Sequence, residues 1–464
     1  MTAHPGLSVR AAVNWVRRHA PDQWHEPTAA LPCDDVAADF ASRYAGIPAN
    51  SLTRTEPVVC YRVDGRSMPV LLGLYGSAER VRTWLPGLPL RTDRAAVDAL
   101  VADATPPVVV TDPSCRQRSY ARVDLTKLPA LRATPRDAGP YLTMGVVMAG
   151  ESLSVHRMLV LGRDRLAIWM VPGRALRRMH EAAVLTGRRL PVSVNIGAPP
   201  AAVVASALST TVLPVGKLAL AGAMAGGPVA LANGVSQPVS VLAESEIVLE
   251  GFLDGSVTDE SLDGPPDVSL PEFLGYDGAA RADLPVLTVT AVTTRRSPRF
   301  QAVIGPGREQ SVILGMAGAL SVALTTDTPE WRLIADLHYS PAGGGMLLLV
   351  VAVRKDSAAD DARLGGIARR IFDWHGFVKL IVFTDTDVDI TSAEDVLWAV
   401  TTRANLGTDC GTFAGFRPLG MDPSHGPDWA GERGSDGGNG RTYVDATVPY
   451  ALRDQVVRSF RGRS

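Results

Sequence analysis

PYLTMGVVMAGESLSVHRMLVLGRDRLAIWMV, residues 140–171, decides the architecture. It holds three runs rich in β-branched and long aliphatic side chains, PYLTMGVVMAG, SVHRMLVLG and RLAIWMV, with only turn residues between them. Consecutive strands of one sheet read this way. The pattern continues through PVSVNIG (191–197), GPVAL (227–231), SEIVLEG (245–251) and PVLTVTAVTTR (285–295). Two helices interrupt it. RALRRMHEAAVLTG (174–187) is opened by Pro172 and closed by Gly187, and PPAAVVASAL (199–208) has two prolines suited to a first helical turn. Many short strands with two helices predict a barrel-like β core with an α/β insertion.

Upstream, VRAAVNWVRRHA and DDVAADFASRYAG carry helical spacing and VVCYRV and PVLLGLYG read as strands. Ser77 is placed to cap AERVRTWL. TPPVVVTDPS, bounded by prolines, reads as a boundary. Downstream, strands GMLLLVVAV and FVKLIVFT alternate with helices, and Thr391 with Glu394 reads as a capping box for SAEDVLWAVTTR. GPDWAGERGSDGGNG (426–440) reads as a linker and PYALRDQVVRSFRG as a lone amphipathic helix after it. The expected divisions are 1–116, an N-terminal α/β region; 117–307, the β core; 308–425, a C-terminal α/β domain; and 426–464, linker and helix.

At 464 residues the chain exceeds one core, and length alone implies roughly two to four domains. A formal net charge of -2 excludes the basic field that nucleic acid or an anionic membrane would require. The four cysteines (33, 60, 115 and 410) form no CxxC pair, which fits reduced thiols in a cytoplasm better than disulfides or zinc. The first twenty residues lack the apolar core of a signal peptide, and no apolar run is long enough to span a bilayer. A cytoplasmic location is expected.

Asp263 to Gly278, DGPPDVSLPEFLGYDG, is the stretch that points to chemistry. Asp267 and Glu272 stand five residues apart in a run stiffened by Pro265, Pro266 and Pro271. Proline fixes φ and removes a donor, so the run is expected to be a rigid loop. Two acids on such a loop can titrate apart and divide acid and base roles. A surface turn with solvated acids is the plainer reading of the same residues.

Seven segments in one order change that balance. TPRDAGPY (134–141), SLSVHR (152–157), LPVSVNIGAPPAA (190–202), LAGAMAGGPV (220–229), SEIVLEG, DVSLPEFLGY (267–276) and DTDVDITSAEDVLWAVTTR followed by MDPS resemble the UbiD-like decarboxylases, which use prenylated FMN. The resemblance spans about residues 60–424. It implies a central split β-barrel that binds the flavin and a C-terminal α/β domain for oligomerisation, within an overall α/β (α+β) fold. By the same resemblance Arg157 is the arginine of a catalytic Glu–Arg–Glu network. Glu272 is its second glutamate, expected to protonate the product carbon, and Asp267 stands one methylene short at the first. The implied reaction is reversible, non-oxidative decarboxylation of an unsaturated or (hetero)aromatic carboxylic acid. Its implied partners are that small molecule, a flavin prenyltransferase supplying the cofactor, and further copies of the chain in a dimer or hexamer.

The departures are specific. The family ties the flavin phosphate to a divalent metal through Asn, His and Glu. Here those positions are Ser152, Ala175 (or Arg174 with a one-residue shift) and Lys217. None is an ordinary ligand for Mn or Mg, so no metal site is expected. Ser152, Ser154, Arg157, Arg174 and Lys217 are the candidate cofactor-binding residues. In one reading the ammonium of Lys217, helped by Arg174, pairs with the phosphate directly. In the other the phosphate site is lost, and the chain is a non-catalytic subunit of a complex or a cofactor-independent lyase.

Other acids and His156 carry plainer readings. Asp385, Asp387 and Asp389 lack the glycine and terminal glutamate of an EF-hand loop and read as a strand-end turn. Glu246 and Glu250 alternate with aliphatics and read as structurally paired strand residues. His156 lies next to Arg157, and strand alternation sends it to the opposite face.

Overall fold

The computed structural model describes residues 4–47, 55–209, 213–262, 268–325, 328–433 and 439–459. The chain packs into two compact units, residues 1–88 with 100–313, and residues 89–99 with 314–464. The packing therefore groups most of the N-terminal region with the β core.

The centre of the first unit is a closed antiparallel barrel. Strand Tyr141–Ala149 pairs with Ser152–Val160, which pairs with Arg165–Ile168. The ring continues through Leu284–Thr294, Ile247–Thr258 and Leu190–Ile196, which returns to Tyr141–Ala149. Closure leaves no free sheet edge among these strands. One face of each strand fills the inside with Val147, Met158, Ile168, Val192, Val194, Leu249, Leu253, Leu287 and Val289, all buried. Each fully buried aliphatic of this kind contributes about 1.5–3 kcal/mol relative to exposure. Gly251 marks the tightest crossing: a Cβ there would lie 2.0 Å from the backbone oxygen of Thr288, at a register shift between Glu250 and Gly251.

The expected β core is thus present, with three corrections. GPVAL does not join the barrel; Ala230–Asn233 forms a separate sheet with Ser240–Leu242 and Val108–Val109. The segment read as a boundary, TPPVVVTDPS, supplies that last strand. A third helix, Lys217–Ala225, also interrupts the strands. It is apolar along nearly its whole length and buried from Leu220 to Ala225, so it lacks the two-faced spacing that reveals a surface helix.

The second unit holds a five-stranded sheet in the order Ile334–Tyr339, Leu348–Val353, Leu380–Asp385, Arg441–Ala446, Cys410–Phe413. Strand Arg441–Ala446 is parallel to Leu380–Asp385 and antiparallel to Cys410–Phe413. This corrects the reading of the C-terminal stretch. Pro427–Glu432 is a short helix inside the supposed linker, and beyond Arg441–Ala446 only the single turn Tyr450–Leu452 is helical among the described residues. The cap of helix Ala393–Arg403 shifts by one residue: Ser392 accepts from the Asp395 amide, and Thr391 instead donates its hydroxyl to Asp389. Asp385 and Asp387 pair with Arg403, so these acids close a strand-end turn. Among the described residues no helix is long and apolar enough to cross a membrane.

Candidate active site

Arg157 and Glu272, far apart in sequence, meet outside the barrel wall. Alternation along Ser152–Val160 sends Met158 and Val160 into the barrel core and Leu159 to the other face, where Tyr141, Leu270 and Leu284 form a small cluster. Arg157 shares the face of Leu159. Over that face lies the hairpin Val268–Pro271/Asp277–Ala279, whose turn is tightened by Gly275 at φ +98°, a conformation only glycine adopts freely. Pro271 ends the strand, and Glu272 follows with its amide bonded to the Tyr276 carbonyl at 2.8 Å. Its Oε1 sits 3.2 Å from Arg157 Nη2.

A second carboxylate completes the group. Glu260 lies just past strand Ile247–Thr258 and is buried; its Oε1 is 3.8 Å from Arg157 Nη2. The Tyr141 hydroxyl donates to that oxygen at 3.0 Å and the Ser269 hydroxyl at 2.8 Å. Burial, then the neighbouring Glu260, raises the pKa of Tyr141, so the phenol stays a donor. The other oxygen, Oε2, is buried without a hydrogen-bond partner, as are Arg157 Nε and Nη2. Arg157 Nη1 makes a long contact of 3.4 Å with the Leu270 carbonyl. Buried donors without acceptors are costly, and Nε with Nη2 form the fork that fits a carboxylate side-on.

Sequence reading brought Arg157 and Glu272 together, and the geometry pairs them. Asp267 lies outside the described residues. Glu260 was missed, because TDES after a strand reads as an exposed acidic turn; its burial depends on Tyr141 and Ser269 at distant positions.

The cofactor candidates gather at the end of helix Pro200–Ser206. Lys217, the first residue of helix Lys217–Ala225, donates to the carbonyls of Leu153 at 3.0 Å, Ser206 at 3.1 Å and Leu208 at 2.8 Å. Arg174, the N-cap of helix Ala175–Leu185, donates to the Ser209 carbonyl. Ser154 Oγ is 2.8 Å from His156 Nε2, and His156 Nδ1 is 2.9 Å from the Trp169 carbonyl. Burial, with help from Lys217, pushes the His156 pKa down to about 4. Ser152 opens the same strand, opposite Ala149.

Comparison with known proteins shows the family. Residues 108–309 match the 3-octaprenyl-4-hydroxybenzoate carboxy-lyase Rift-related domain, and residues 313–446 match the C-terminal domain of the same enzymes. The gallate decarboxylase of Lactiplantibacillus plantarum is 32% identical over 348 residues, 72% of this chain and 71% of that protein. The chain belongs to the UbiD carboxy-lyase family. Among solved structures, apo 3,4-dihydroxybenzoic acid decarboxylase from Klebsiella pneumoniae superposes with a TM-score of 0.88 at 30% identity, covering 99% and 98% of the two chains. The UbiD-class enzyme HmfF of Pelotomaculum thermopropionicum, in complex with FMN, gives 0.83 at 28% identity, covering 98% and 97%. An evolved dimeric form of HmfF, with prFMN, gives 0.79 at 26%, with the same coverage.

The divalent metal of UbiD enzymes does not fit this chain's residues. Ser152, Ala175 and Lys217 offer no carboxylate or imidazole, and the ammonium at 217 repels a metal cation. Among the described residues no group of three or more His, Cys, Asp or Glu side chains is arranged to hold a metal ion. A flavin phosphate does fit. Lys217 and Arg174 are partly buried cations; burial lowers the proton affinity of both, Arg174 lowers that of Lys217 further, and no carboxylate pairs with either among the described residues. Two enclosed positive groups without an acid suit a dianion.

Proposed function

We propose that this UbiD-type carboxy-lyase catalyses the reversible, non-oxidative decarboxylation of an unsaturated or (hetero)aromatic carboxylic acid with prenylated FMN. One observation carries the reading: the buried Nε/Nη2 edge of Arg157 has no hydrogen-bond partner, while Nη2 is ion-paired with Glu272 and Glu260. That fork clamps the substrate carboxylate. When bound, the prenylated flavin supplies the electron sink that protein side chains lack. Glu272, mostly buried on its hairpin but still in reach of solvent, takes a proton from solvent and delivers it to the carbon that has lost CO2, so each turnover consumes one proton. Glu260 keeps the guanidinium aimed, held in turn by Tyr141 and Ser269. Asp267, five residues before Glu272, tunes the pair. Lys217 and Arg174 supply the positive field for the cofactor phosphate, and a flavin prenyltransferase supplies the cofactor.

The test is protein co-expressed with a flavin prenyltransferase, with bound cofactor read by UV–visible spectrum and mass spectrum. CO2 release is then assayed on hydroxylated benzoates such as gallate and 3,4-dihydroxybenzoate, the acids of two relatives. Bound prenylated FMN and turnover are expected. Glu272→Gln should lower kcat by about 10²–10⁴-fold and leave substrate Kd nearly unchanged. Arg157→Lys should raise KM as well, since an ammonium cannot reproduce the fork. Flavin-free protein and no CO2 from any acid would instead support a non-catalytic subunit or a cofactor-independent lyase.

A further inference from the structure

The ammonium of Lys217 sits in a cage of three backbone carbonyls, those of Leu153, Ser206 and Leu208, at 2.8–3.1 Å. An ammonium has three protons and all three have acceptors, so none is left over for a ligand. Direct pairing with a phosphate oxygen would require one of these bonds to be shared or released. The Ser206 carbonyl ends helix Pro200–Ser206, where the last C=O groups lack intrahelical partners and the helix dipole is negative, and the Leu208 carbonyl lies two residues past it. The third comes from the barrel strand Ser152–Val160. Arg174 closes the same turn from the other side through the Ser209 carbonyl. Converging carbonyl oxygens of this kind are the coordination shell of a desolvated monovalent cation.

We infer that Lys217 is a tethered cation filling a carbonyl-lined ion site, which assembles the cofactor-phosphate recess without any free metal ion. The inference rests on the flavin reading above and deepens it. Lys217 acts as a positioning residue. It ties the 206–209 turn to the barrel wall and sets the sign of the local field, and Arg174 is the cation with donors left to meet the phosphate. Its Nη1 accounts for the Ser209 bond, and its other guanidinium donors carry no hydrogen bond among the described residues. A chain so built holds its flavin after chelation, because the charge that a divalent ion would bring is part of the polypeptide. A plain helix cap at the same carbonyls would contribute stability alone, with no consequence for phosphate binding.

The experiment uses the full chain and FMN as the probe, with binding read by quenching of flavin fluorescence. For the unaltered protein, EDTA in tetramethylammonium chloride should change the FMN Kd by less than about twofold. Lys217→Ala should bind FMN at least about tenfold more weakly in that salt, and ammonium chloride should restore most of the loss by refilling the cage. Release of FMN by EDTA, with recovery on adding Mn2+ or Mg2+, overturns the inference. So does Lys217→Ala binding FMN as tightly as the unaltered protein in tetramethylammonium. If the unaltered protein binds no FMN under any condition, the flavin reading fails, and thermal denaturation then judges the cage by itself. The Tm of Lys217→Ala should rise with ammonium and not with tetramethylammonium, while the unaltered protein responds to neither; equal response to both salts removes the ion site. Lys217→Met, which keeps the volume and lacks the charge, serves the binding test if Lys217→Ala does not fold.

Discussion

At the residue scale, Lys217 stands where the family resemblance implies a metal-ligating glutamate, and its titration is accessible. Burial first, then Arg174, lowers its pKa from 10.5 to about 8. His156, the other titratable group nearby, is held neutral above about 4 and does not contribute between pH 7 and 9. Raising the pH through 8 therefore strips the Lys217 proton in the free protein, leaving two donors for three carbonyls. The FMN phosphate is already dianionic there, so FMN affinity should fall by about tenfold from pH 7 to 9, and Lys217→Met should show no such slope. Stability responds with the opposite sign. The unfolded chain binds this proton more tightly between about 8 and 10.5, so the Lys217 contribution to stability is full above 10.5 and is lost as pH falls through 8. Urea titrations of both proteins at pH 7 and 10 measure it. Arg157 and Glu272 were legible in the sequence because each stands in one of the resembling segments, and Lys217 because it stands where the family has a metal-ligating glutamate. Glu260 was not, since nothing near it in sequence shows that it is buried.

At the element scale, the hairpin Val268–Pro271/Asp277–Ala279 matters most, because it lays Glu272 over Arg157. Leu270 packs it against Tyr141, Leu159 and Leu284, and the Glu260 carboxylate links Ser269 of the hairpin to Tyr141 of the barrel. Glu260→Ala leaves both buried hydroxyls without their acceptor, and should destabilise the protein by about 1–3 kcal/mol. Amide exchange of residues 268–279 should accelerate more than that of the barrel strands. Glu260→Gln keeps an acceptor and should restore most of the stability; uniform exchange in Glu260→Ala would show that this link does not hold the hairpin. The loop expected from the proline spacing is, among the described residues, a two-stranded hairpin with Pro271 at the end of its first strand, whereas the run of short strands announced the barrel. The helix Lys217–Ala225 escaped notice because a helix buried almost all round carries no periodic contrast.

At the scale of the whole molecule, the second unit depends on the end of the chain. Strand Arg441–Ala446 lies between Leu380–Asp385 and Cys410–Phe413, so its loss would bare the hydrogen-bonding edges of both. A chain stopped at residue 425 should lose soluble yield and become sensitive to protease within residues 314–425. Unchanged solubility and Tm would show the strand to be dispensable. Glycine-rich composition from 426 to 440 hid this, since a loop inserting a central strand and a free linker have the same composition.

The sequence by itself determined the strand-rich core, the alternation that sends Arg157 and His156 to opposite faces, and the acid beside the prolines, because these follow from side-chain period and backbone restriction at neighbouring positions. Tertiary structure alone decided that Glu260 is buried against Tyr141 and Ser269, that Lys217 meets three carbonyls, and that the last strand lies inside a sheet. Each of those needs at least one group far along the chain (Tyr141 for Glu260, Leu153 for Lys217, Leu380–Asp385 for the last strand), whose meeting leaves no local trace.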